Sequence, residues 1–252
     1  FFLLNDIIFT MRINKYIAQS GFCSRRKADE YVESGAVKVN GEVVTMLGFE
    51  IRKKDKVTIN DKLIRADKLE YYKFYKPAGY ITTKSDENNR KTIYDILPKE
   101  YQHLNPVGRL DKDSTGLIIL TNDGNLAYEL THPSIKVAKT YIVRIDGKPT
   151  NEQLEKLSSG IEIEKGKIAY CSWQILEQDK TSTLFEIILY QGMNRQIRKM
   201  FEYLGYNVLN LKRIRHANID LTGLKKGQIK QIKPRQIKEL KQYLLNLRKK
   251  ED

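Results

Sequence analysis

The short apolar run from Leu117 to Thr121 constrains the fold more than any other stretch of this chain. It is rich in β-branched side chains, Gly116 precedes it, and Asn122-Asp123-Gly124 follows it. A short apolar run bounded by turn residues is typical of a strand buried on both faces, whereas a helix needs a longer segment. The sequence therefore predicts a core strand here.

The loop that leads into this strand is dense in charge. Arg109, Asp111 and Asp113 lie close together, just before the apolar run. A charged group at the edge of a buried strand costs desolvation free energy unless it is paired or used. Ordinary turn chemistry is the alternative, because Asp111 or Asp113 can satisfy backbone amides in a loop. The residues alone leave both interpretations open.

The balance of charge indicates a polyanionic partner. The chain has 252 residues with 45 Lys and Arg against 31 Asp and Glu, which gives a net charge of +14 and a pI near 9.5. Nucleic acid is the commonest partner of such a chain. An anionic membrane surface is the alternative, but no long, basic amphipathic segment dominates the sequence. The length and the 40% hydrophobic fraction suit a soluble protein with one medium and one small domain.

Residues that bind metals or form disulfides are few. Cys23 and Cys171 are far apart, and we expect them to be reduced, partly buried thiols of a cytoplasmic protein. The histidines His103, His132 and His216 form no ligand-spaced cluster with them. The sequence therefore argues against a zinc site.

The first ten residues, FFLLNDIIFT, are expected to lie outside the fold. They are too short to span a bilayer, and Asn5-Asp6 interrupts them. They lack the basic segment and the small-residue cleavage site of a signal peptide. Met11 is a more natural start, so residues 1–10 are interpreted as upstream read-through or a disordered extension.

Residues 11–68 predict a small module of two helices and a small sheet. The first helix ends at Gly21, and Ser24 is a good N-cap for the second. The dipeptide Asn40-Gly41 between short β-branched runs predicts a hairpin with a two-residue turn. A further short strand is expected from Lys56 to Asn60.

Three cations stand in the first turn of the second predicted helix, namely Arg25, Arg26 and Lys27. The helix macrodipole disfavours cations at this end. Free amides at a helix N-terminus bind anions, and three adjacent cations strengthen such a site. A solvated basic face is the alternative, and the charges alone do not decide between the two.

Residues 70–252 predict a mixed, largely antiparallel α+β domain. Strands and helices alternate irregularly, with several strands joined by short turns. Lys139 to Ile145 alternates as a strand, and the stretch from Gln191 to Leu204 places its apolar residues on one helical face. An amphipathic terminal helix is expected from Pro234 onward.

Two families account for these stretches together. GRLDKDSTGLI, KPAGYITT, RKTIYDILP and QGMNRQIRKM resemble the RsuA/RluB/RluE/RluF group of pseudouridine synthases. The N-terminal module RINKYIAQSGFCSRRKADEYVESGAVKVNGEVV is similar to an S4 RNA-binding domain. The predicted fold is therefore α+β, a small S4-like domain over 11–68 followed by a synthase catalytic domain over 70–252.

The resemblance implies roles for individual residues. Asp111 would be the nucleophile, and Tyr141 would stack on the target uracil, although a strand tyrosine is by default a core residue. Arg198 would pair with the catalytic carboxylate, with Arg195 as the alternative. The predicted RNA-binding residues are Arg25, Arg26, Lys27, Arg109, Arg195, Lys199, Lys212, Arg213 and Arg215.

The implied activity is the isomerisation of a uridine to pseudouridine in RNA, without cofactor or metal. Large-subunit (23S) ribosomal RNA is the favoured substrate, since KDS after Asp111 resembles the RluF branch; tRNA is the alternative. The sequence leaves open whether Asp111 attacks C1′ of the sugar or C6 of the base. We expect a monomer with no membrane partner. A non-catalytic S4-type RNA-binding protein is the competing class, whereas a methyltransferase would need a glycine-rich cofactor loop that is lacking.

Overall fold

A computed structural model describes residues 10–249 and divides the chain into two compact units, with the boundary between Leu69 and Glu70. The buried apolar residues of each unit form their own clusters, one in the first unit and two in the second. Of the predicted N-terminal extension, residues 1–9 lie outside the described part. Thr10, the tenth residue, begins a strand and is paired with Arg52.

The first unit packs two helices against short strands. Its elements are β1 (Thr10–Arg12), α1 (Ile13–Gln19), α2 (Arg25–Glu33), β2 (Val37–Val39), β3 (Glu42–Val43), β4 (Glu50–Arg52), β5 (Val57–Ile59) and β6 (Lys62–Ile64). The strands β3-β2-β5-β6 form one antiparallel sheet, and β1 pairs with β4. The helix pair and the hairpin at Asn40-Gly41 are confirmed, and the Ser24 side chain accepts from the Lys27 amide as the N-cap of α2.

The second unit is built on one large sheet. Its strands are β7 (Tyr71–Lys76), β8 (Asn105–Pro106), β9 (Thr115–Thr121), β10 (Lys139–Asp146), β11 (Ile161–Glu164), β12 (Lys167–Ala169), β13 (Ser172–Gln178), β14 (Ser182–Leu189), β15 (Val208–His216), β16 (Ile219–Asp220) and β17 (Ile229–Gln231). Its α-helices are α3 (Gly124–Thr131), α4 (Asn151–Ser159), α5 (Gln196–Tyr203) and α6 (Pro234–Arg248). Three single turns of 3-10 helix cover Ile93–Asp95, Lys99–Tyr101 and Pro133–Ile135.

The order of strands in the large sheet is β13-β14-β10-β15-β9-β7-β17, and only the β9–β15 pair among its described pairs is parallel. The strand β9 lies between two apolar clusters. Ile118 and Leu120 belong to one cluster, and Leu117 and Ile119 belong to the other. Because successive side chains of a strand point to opposite faces, this division confirms the predicted core strand that is buried on both sides.

One glycine sets the close approach of β9 to β15. Gly116 pairs with Arg213 and has a φ of +118°. A Cβ atom at this position would lie 2.2 Å from the Arg213 carbonyl oxygen. Only glycine fits a position that combines this backbone conformation with such a contact.

Three predicted elements differ in detail. The sequence TIYDIL, from Thr92 to Leu97, predicts a short helix before Pro98, and the structure has a single 3-10 turn with a capping box there. The sequence also predicts one strand near Lys167 to Leu176, and the structure breaks it into β12 and β13 at Cys171, whose amide donates to the Leu157 carbonyl. The helix expected within the stretch from Gln191 to Leu204, with Arg195 near its start, covers Gln196–Tyr203 and is preceded by Arg195 at a left-handed φ of 51°. None of the helices within residues 10–249 is long and apolar enough to cross a membrane.

Candidate active site

A cavity of about 440 Å³ lies in the second unit. Its wall combines the loop before β9, the strands β10 and β15, and the segment that leads into α5. The titratable side chains that line it are Arg109, Asp111, Lys139, Tyr141, Arg195, Arg213 and His216. In the described part of the chain, no group of three or more His, Cys, Asp or Glu residues is placed to hold a metal ion.

A buried lysine holds the loop that carries Asp111. Lys76, at the end of β7, is 0% exposed. Its ammonium donates hydrogen bonds to the main-chain carbonyls of Pro77, Asp111 and Ser114, at 3.0, 3.0 and 2.7 Å. Burial lowers the pKa of Lys76 to about 8, against the opposing charges of Asp111 and Asp113. A cation thus fixes the backbone of the loop and leaves the half-buried Asp111 carboxylate to the cavity.

A second set of bonds holds the same loop from the segment after β7. The Thr82 hydroxyl donates to the Leu110 carbonyl at 2.9 Å and accepts from the Leu110 amide at 3.2 Å. The Gly79 amide donates to the Lys112 carbonyl at 2.8 Å. The KPAGYITT stretch, which the sequence analysis identified only by its resemblance to the synthase group, therefore supports the residue before Asp111 and the residue after it.

Tyr141 belongs to the core and to the cavity at once. It is 8% exposed, packs within the larger apolar cluster, and lines the cavity. Its neighbours across the sheet are Ile187 on β14 and Arg213 on β15. Tight packing on both sides restricts the ring, which is the condition for a fixed stacking surface.

The two candidate cationic partners of Asp111 lie at different places. Arg195 is exposed, precedes α5 and lines the cavity. Arg198 is half-buried, and its Nη1 donates to the Val208 carbonyl at 3.0 Å, while its Nε has no hydrogen-bond partner in the described structure. The pKa of Arg198 is lowered by burial and by Arg195, and the charge of Asp111 opposes this shift.

No ion pair joins Asp111 to Arg195 or Arg198 within residues 10–249. Arg198 and Asp111 thus interact through their charges at longer range, without an ion pair or a hydrogen bond between them. The choice between the two arginines stays a prediction.

Arg213, which is predicted to lie on a basic strand along the RNA path, is buried in the sheet. It is 2% exposed, and its Nε donates to the Leu117 carbonyl at 2.8 Å. The parallel pairing of β15 with β9 puts it in the middle of the sheet, next to Gly116. It still lines the cavity, so any contact with RNA must be made there rather than on an outer surface.

The other predicted RNA-binding cations are more accessible. Arg109 is exposed and lines the cavity, and Arg215 is exposed on β15. Lys212 lies 5.9 Å from the centre of the Tyr75 ring. Lys199 forms an ion pair with Glu164, which reduces its availability to a phosphate.

In the first unit, Arg25, Arg26 and Lys27 are all exposed on α2, and Lys27 also pairs with Glu30. The predicted cluster of cations at the start of this helix is therefore present on the surface. Their role in RNA binding stays a prediction.

Two cavity residues were missed from the sequence. Lys139 donates to the Val137 carbonyl at 3.0 Å, and burial, followed by the charge of Arg213, lowers its pKa to about 8. His216 is fully buried, with Nε2 3.1 Å from the Leu130 carbonyl oxygen. Burial and the neighbouring cations lower the pKa of His216 well below its usual value, so its ring is neutral at pH 7. The alternation of β10 gives no signal that separates Lys139 from an ordinary surface lysine.

Both units match known families. Residues 70–203 match the RNA pseudouridylate synthase family, and residues 11–65 match the S4 domain. A crystal structure described as that of a pseudouridylate synthase superposes with a TM-score of 0.65 at 27% identity, over 91% of this chain and 99% of that one.

Two curated relatives cover most of the chain. The ribosomal large subunit pseudouridine synthase B of Bacillus subtilis (strain 168) is 39% identical over 91% of this chain and 95% of its own length. The dual-specificity RNA pseudouridine synthase RluF of Escherichia coli (strain K12) is 38% identical over 87% of this chain and 74% of its own length. The two identities are nearly equal, so the predicted preference for the RluF branch stays a prediction.

Proposed function

Because this chain belongs to the RNA pseudouridylate synthase family and contains an S4 domain, we propose that it isomerises one uridine of ribosomal RNA, with Asp111 as the nucleophile. The enzyme is thus an isomerase that acts on RNA. The observation that carries the role of Asp111 is its position with Tyr141 in one cavity of about 440 Å³. Such a volume is within the range of small-ligand sites, about 300–1,000 Å³.

The chemistry needs only groups that this cavity contains. The bond between N1 of uracil and C1′ of ribose breaks, and a bond between C5 and C1′ forms. The proton on C5 leaves and N1 gains one, so atoms and charge balance without a redox step. Asp111 attacks either C1′ or C6 as a covalent or ion-pair-stabilising nucleophile. Tyr141 holds the detached ring by stacking while it turns, and is the candidate acceptor of the C5 proton.

Two arginines near Asp111 have proposed roles. Arg198 feels the charge of Asp111 and is the proposed partner of its carboxylate. Arg109 is exposed at the edge of the cavity, two residues before Asp111. We propose that Arg109 binds the phosphate of the flipped nucleotide or fills the space that this nucleotide leaves.

Large-subunit ribosomal RNA is the proposed substrate. The name of the B. subtilis relative, a ribosomal large subunit pseudouridine synthase, supports this choice. The name of the E. coli relative specifies dual-specificity RNA modification, so a second RNA, such as tRNA, is the alternative. A cytoplasmic, monomeric protein is the form that fits this role, and both properties stay predictions.

The deciding experiment is a pseudouridine map of total RNA from cells with and without this gene, by carbodiimide labelling and primer extension. We expect one stop in large-subunit ribosomal RNA to be lost with the gene and restored by the wild-type chain. Loss of no stop in any ribosomal or transfer RNA would favour the non-catalytic S4-type RNA-binding protein.

The role of Asp111 is tested by complementation with Asp111→Asn. Removal of a covalent nucleophile costs up to about 10⁶-fold in rate, so we expect no stop to return although RNA affinity is retained. Asp113→Asn is the matched control, because Asp113 is an exposed carboxylate of the same loop that does not line the cavity. Appreciable turnover by Asp111→Asn would remove Asp111 from the nucleophile role.

A further inference from the structure

One part of the cavity wall carries two cations, Lys139 and Arg213, that have no role in the proposed reaction at Asp111. It is built from the facing strands β10 and β15, in which Lys139 is paired with His216 and Tyr141 with Arg213. All four side chains line the cavity. Because Lys139 and Tyr141 are two residues apart on one strand, their side chains project to the same face, about 7 Å apart along it.

Within residues 10–249, no carboxylate forms an ion pair with the two cations of this wall. The charge of Arg213 adds to burial in lowering the pKa of Lys139, and Asp111 forms no ion pair with either cation although it lines the same cavity. The hydrogen bonds of both side chains within the described structure go to main-chain carbonyls, from Lys139 to Val137 and from Arg213 to Leu117. His216 is neutral and adds no charge. Two close cations out of water are unfavourable unless an anion accompanies them.

Hydrogen-bond donors are also left over at this wall. The ammonium of Lys139 has three N–H groups, and one of them is used on Val137. The Nη2 of Arg213 is buried and has no hydrogen-bond partner in the described part of the chain. A structural role for Arg213 in the sheet explains its Nε but not this second group. Surplus donors together with surplus positive charge fit an anionic oxygen ligand.

We propose that Lys139 and Arg213 form a subsite for a phosphodiester of the RNA, directly beside the nucleotide that stacks on Tyr141. Lys139 makes the contact, since it is the less buried of the two, and Arg213 lies behind it and strengthens the positive potential. The ligand is one of the two phosphates that flank the target uridine. The subsite deepens the proposed function and rests on it for the identity of the RNA.

A cycle of two neutralisations tests the contact. Lys139→Met removes the charge from the protein, and a methylphosphonate on the 5′ or the 3′ side of the target uridine removes it from the RNA. Each change alone should lower kcat/KM by about 10-fold to 100-fold, as expected for one charge-assisted hydrogen bond. If Lys139 contacts one of the two phosphates, Lys139→Met combined with the methylphosphonate at that phosphate should lower kcat/KM no more than either change alone. If the losses of kcat/KM multiply for the methylphosphonate on the 5′ side and also for the one on the 3′ side, the proposal is wrong.

Two further variants separate charge from packing. Lys139→Arg keeps the cation and should stay within a few-fold of the wild type. Lys238→Met removes an exposed cation of α6 that does not line the cavity, and should leave kcat/KM unchanged. Equal losses in Lys139→Arg and Lys139→Met would indicate a packing role and contradict the subsite.

A labelling experiment decides the subsite without turnover. Acetylation of Lys139 in the full chain is followed by mass spectrometry with uridine, uridine 5′-monophosphate or inorganic phosphate present at millimolar concentration. We expect protection by the monophosphate and by phosphate but not by uridine. Equal labelling in all three would refute the subsite, whereas the absence of pseudouridine from every RNA would refute the proposed function alone.

Discussion

Lys76 acts on the active-site loop through the main chain alone. Its ammonium is shared among the carbonyls of Pro77, Asp111 and Ser114. Removal of one partner leaves buried acceptors unsatisfied, which costs about 1–3 kcal/mol. We therefore expect Lys76→Met to lower the free energy of unfolding by about that amount and to reduce kcat more than RNA affinity. Denaturant unfolding and single-turnover kinetics measure the two effects.

The same lysine predicts a pH dependence of stability. The pKa of Lys76 is about 8 in the folded chain, below the value of about 10.4 in an unfolded chain. Between these values the unfolded state binds more protons, so stability rises with pH. The contribution is fully present above the unfolded pKa and is lost as pH falls through 8. The advantage of the wild type over Lys76→Met should thus grow from pH 7 to pH 10, and a constant difference would contradict the lowered pKa.

Single residues show where sequence analysis stops. Ser24 as an N-cap and Asn40-Gly41 as a hairpin turn were predictable, because their effects are local. Lys76 was not, because its partner Asp111 lies 35 residues later in the chain and nothing in the spacing joins them. The joint placement of Asp111 and Tyr141 came from the resemblance to a family rather than from the physical pattern.

Among the elements, the parallel contact of β9 with β15 depends on Gly116. An alanine there would place its Cβ 2.2 Å from the Arg213 carbonyl oxygen at a φ of +118°. Backbone strain and overpacking each cost about 1–3 kcal/mol. We expect Gly116→Ala to lower the unfolding free energy by about 3 kcal/mol or more in denaturant melts. Gly192→Ala is the control, since its Cβ would meet nothing within 4 Å, and an equal loss in both would reject the contact as the cause.

The helix α2 predicts opposite effects on binding and on stability. Its first turn holds the exposed cations Arg25, Arg26 and Lys27 at the positive end of the macrodipole. Changing all three to Gln should weaken RNA binding and flatten its salt dependence, by up to roughly 0.7 log units per lost contact with single-stranded RNA. Thermal stability should stay equal or rise slightly, because the unfavourable dipole interaction is removed.

A matched variant controls this experiment for net charge. Three exposed lysines of the second unit are changed to Gln together, namely Lys225, Lys226 and Lys238. Filter binding at several salt concentrations compares the two triple variants. An equal change of salt slope in both would show that net charge, rather than the start of α2, governs the affinity.

The elements themselves were predictable where periodicity or caps mark them. The strand β9 is an apolar run bounded by turn residues, and the helix α6 has a long amphipathic pattern. Both were predicted. The strands β4 and β6 were missed, since each has three residues and forms only through its partner strand. The start of α5 next to Arg195 agrees with the prediction, whereas the left-handed conformation of Arg195 was not predicted.

At the scale of the whole molecule, the positive charge is divided between the two units in proportion to their lengths. Residues 70–252 carry 32 Lys and Arg against 22 Asp and Glu, so they hold +10 of the total of +14. The sequence analysis predicted that the S4 domain binds RNA, but the longer catalytic unit carries most of the net positive charge. We therefore expect the second unit to take part in the long-range attraction of RNA, in addition to the predicted local contact at α2.

This division predicts the behaviour of a fragment that comprises residues 70–252. The apolar clusters of the second unit contain no residue before Tyr71, so we expect the fragment to fold and to unfold cooperatively by circular dichroism. At saturating RNA its kcat should remain within about tenfold of the full chain, because Asp111 and Tyr141 are retained. Its KM should rise tenfold or more, since the contacts of α2 are lost, at about 1.4 kcal/mol for each factor of ten. A folded fragment with an unchanged KM would assign RNA recognition to the catalytic unit alone, and a fragment that fails to fold would show that its core needs the S4 unit.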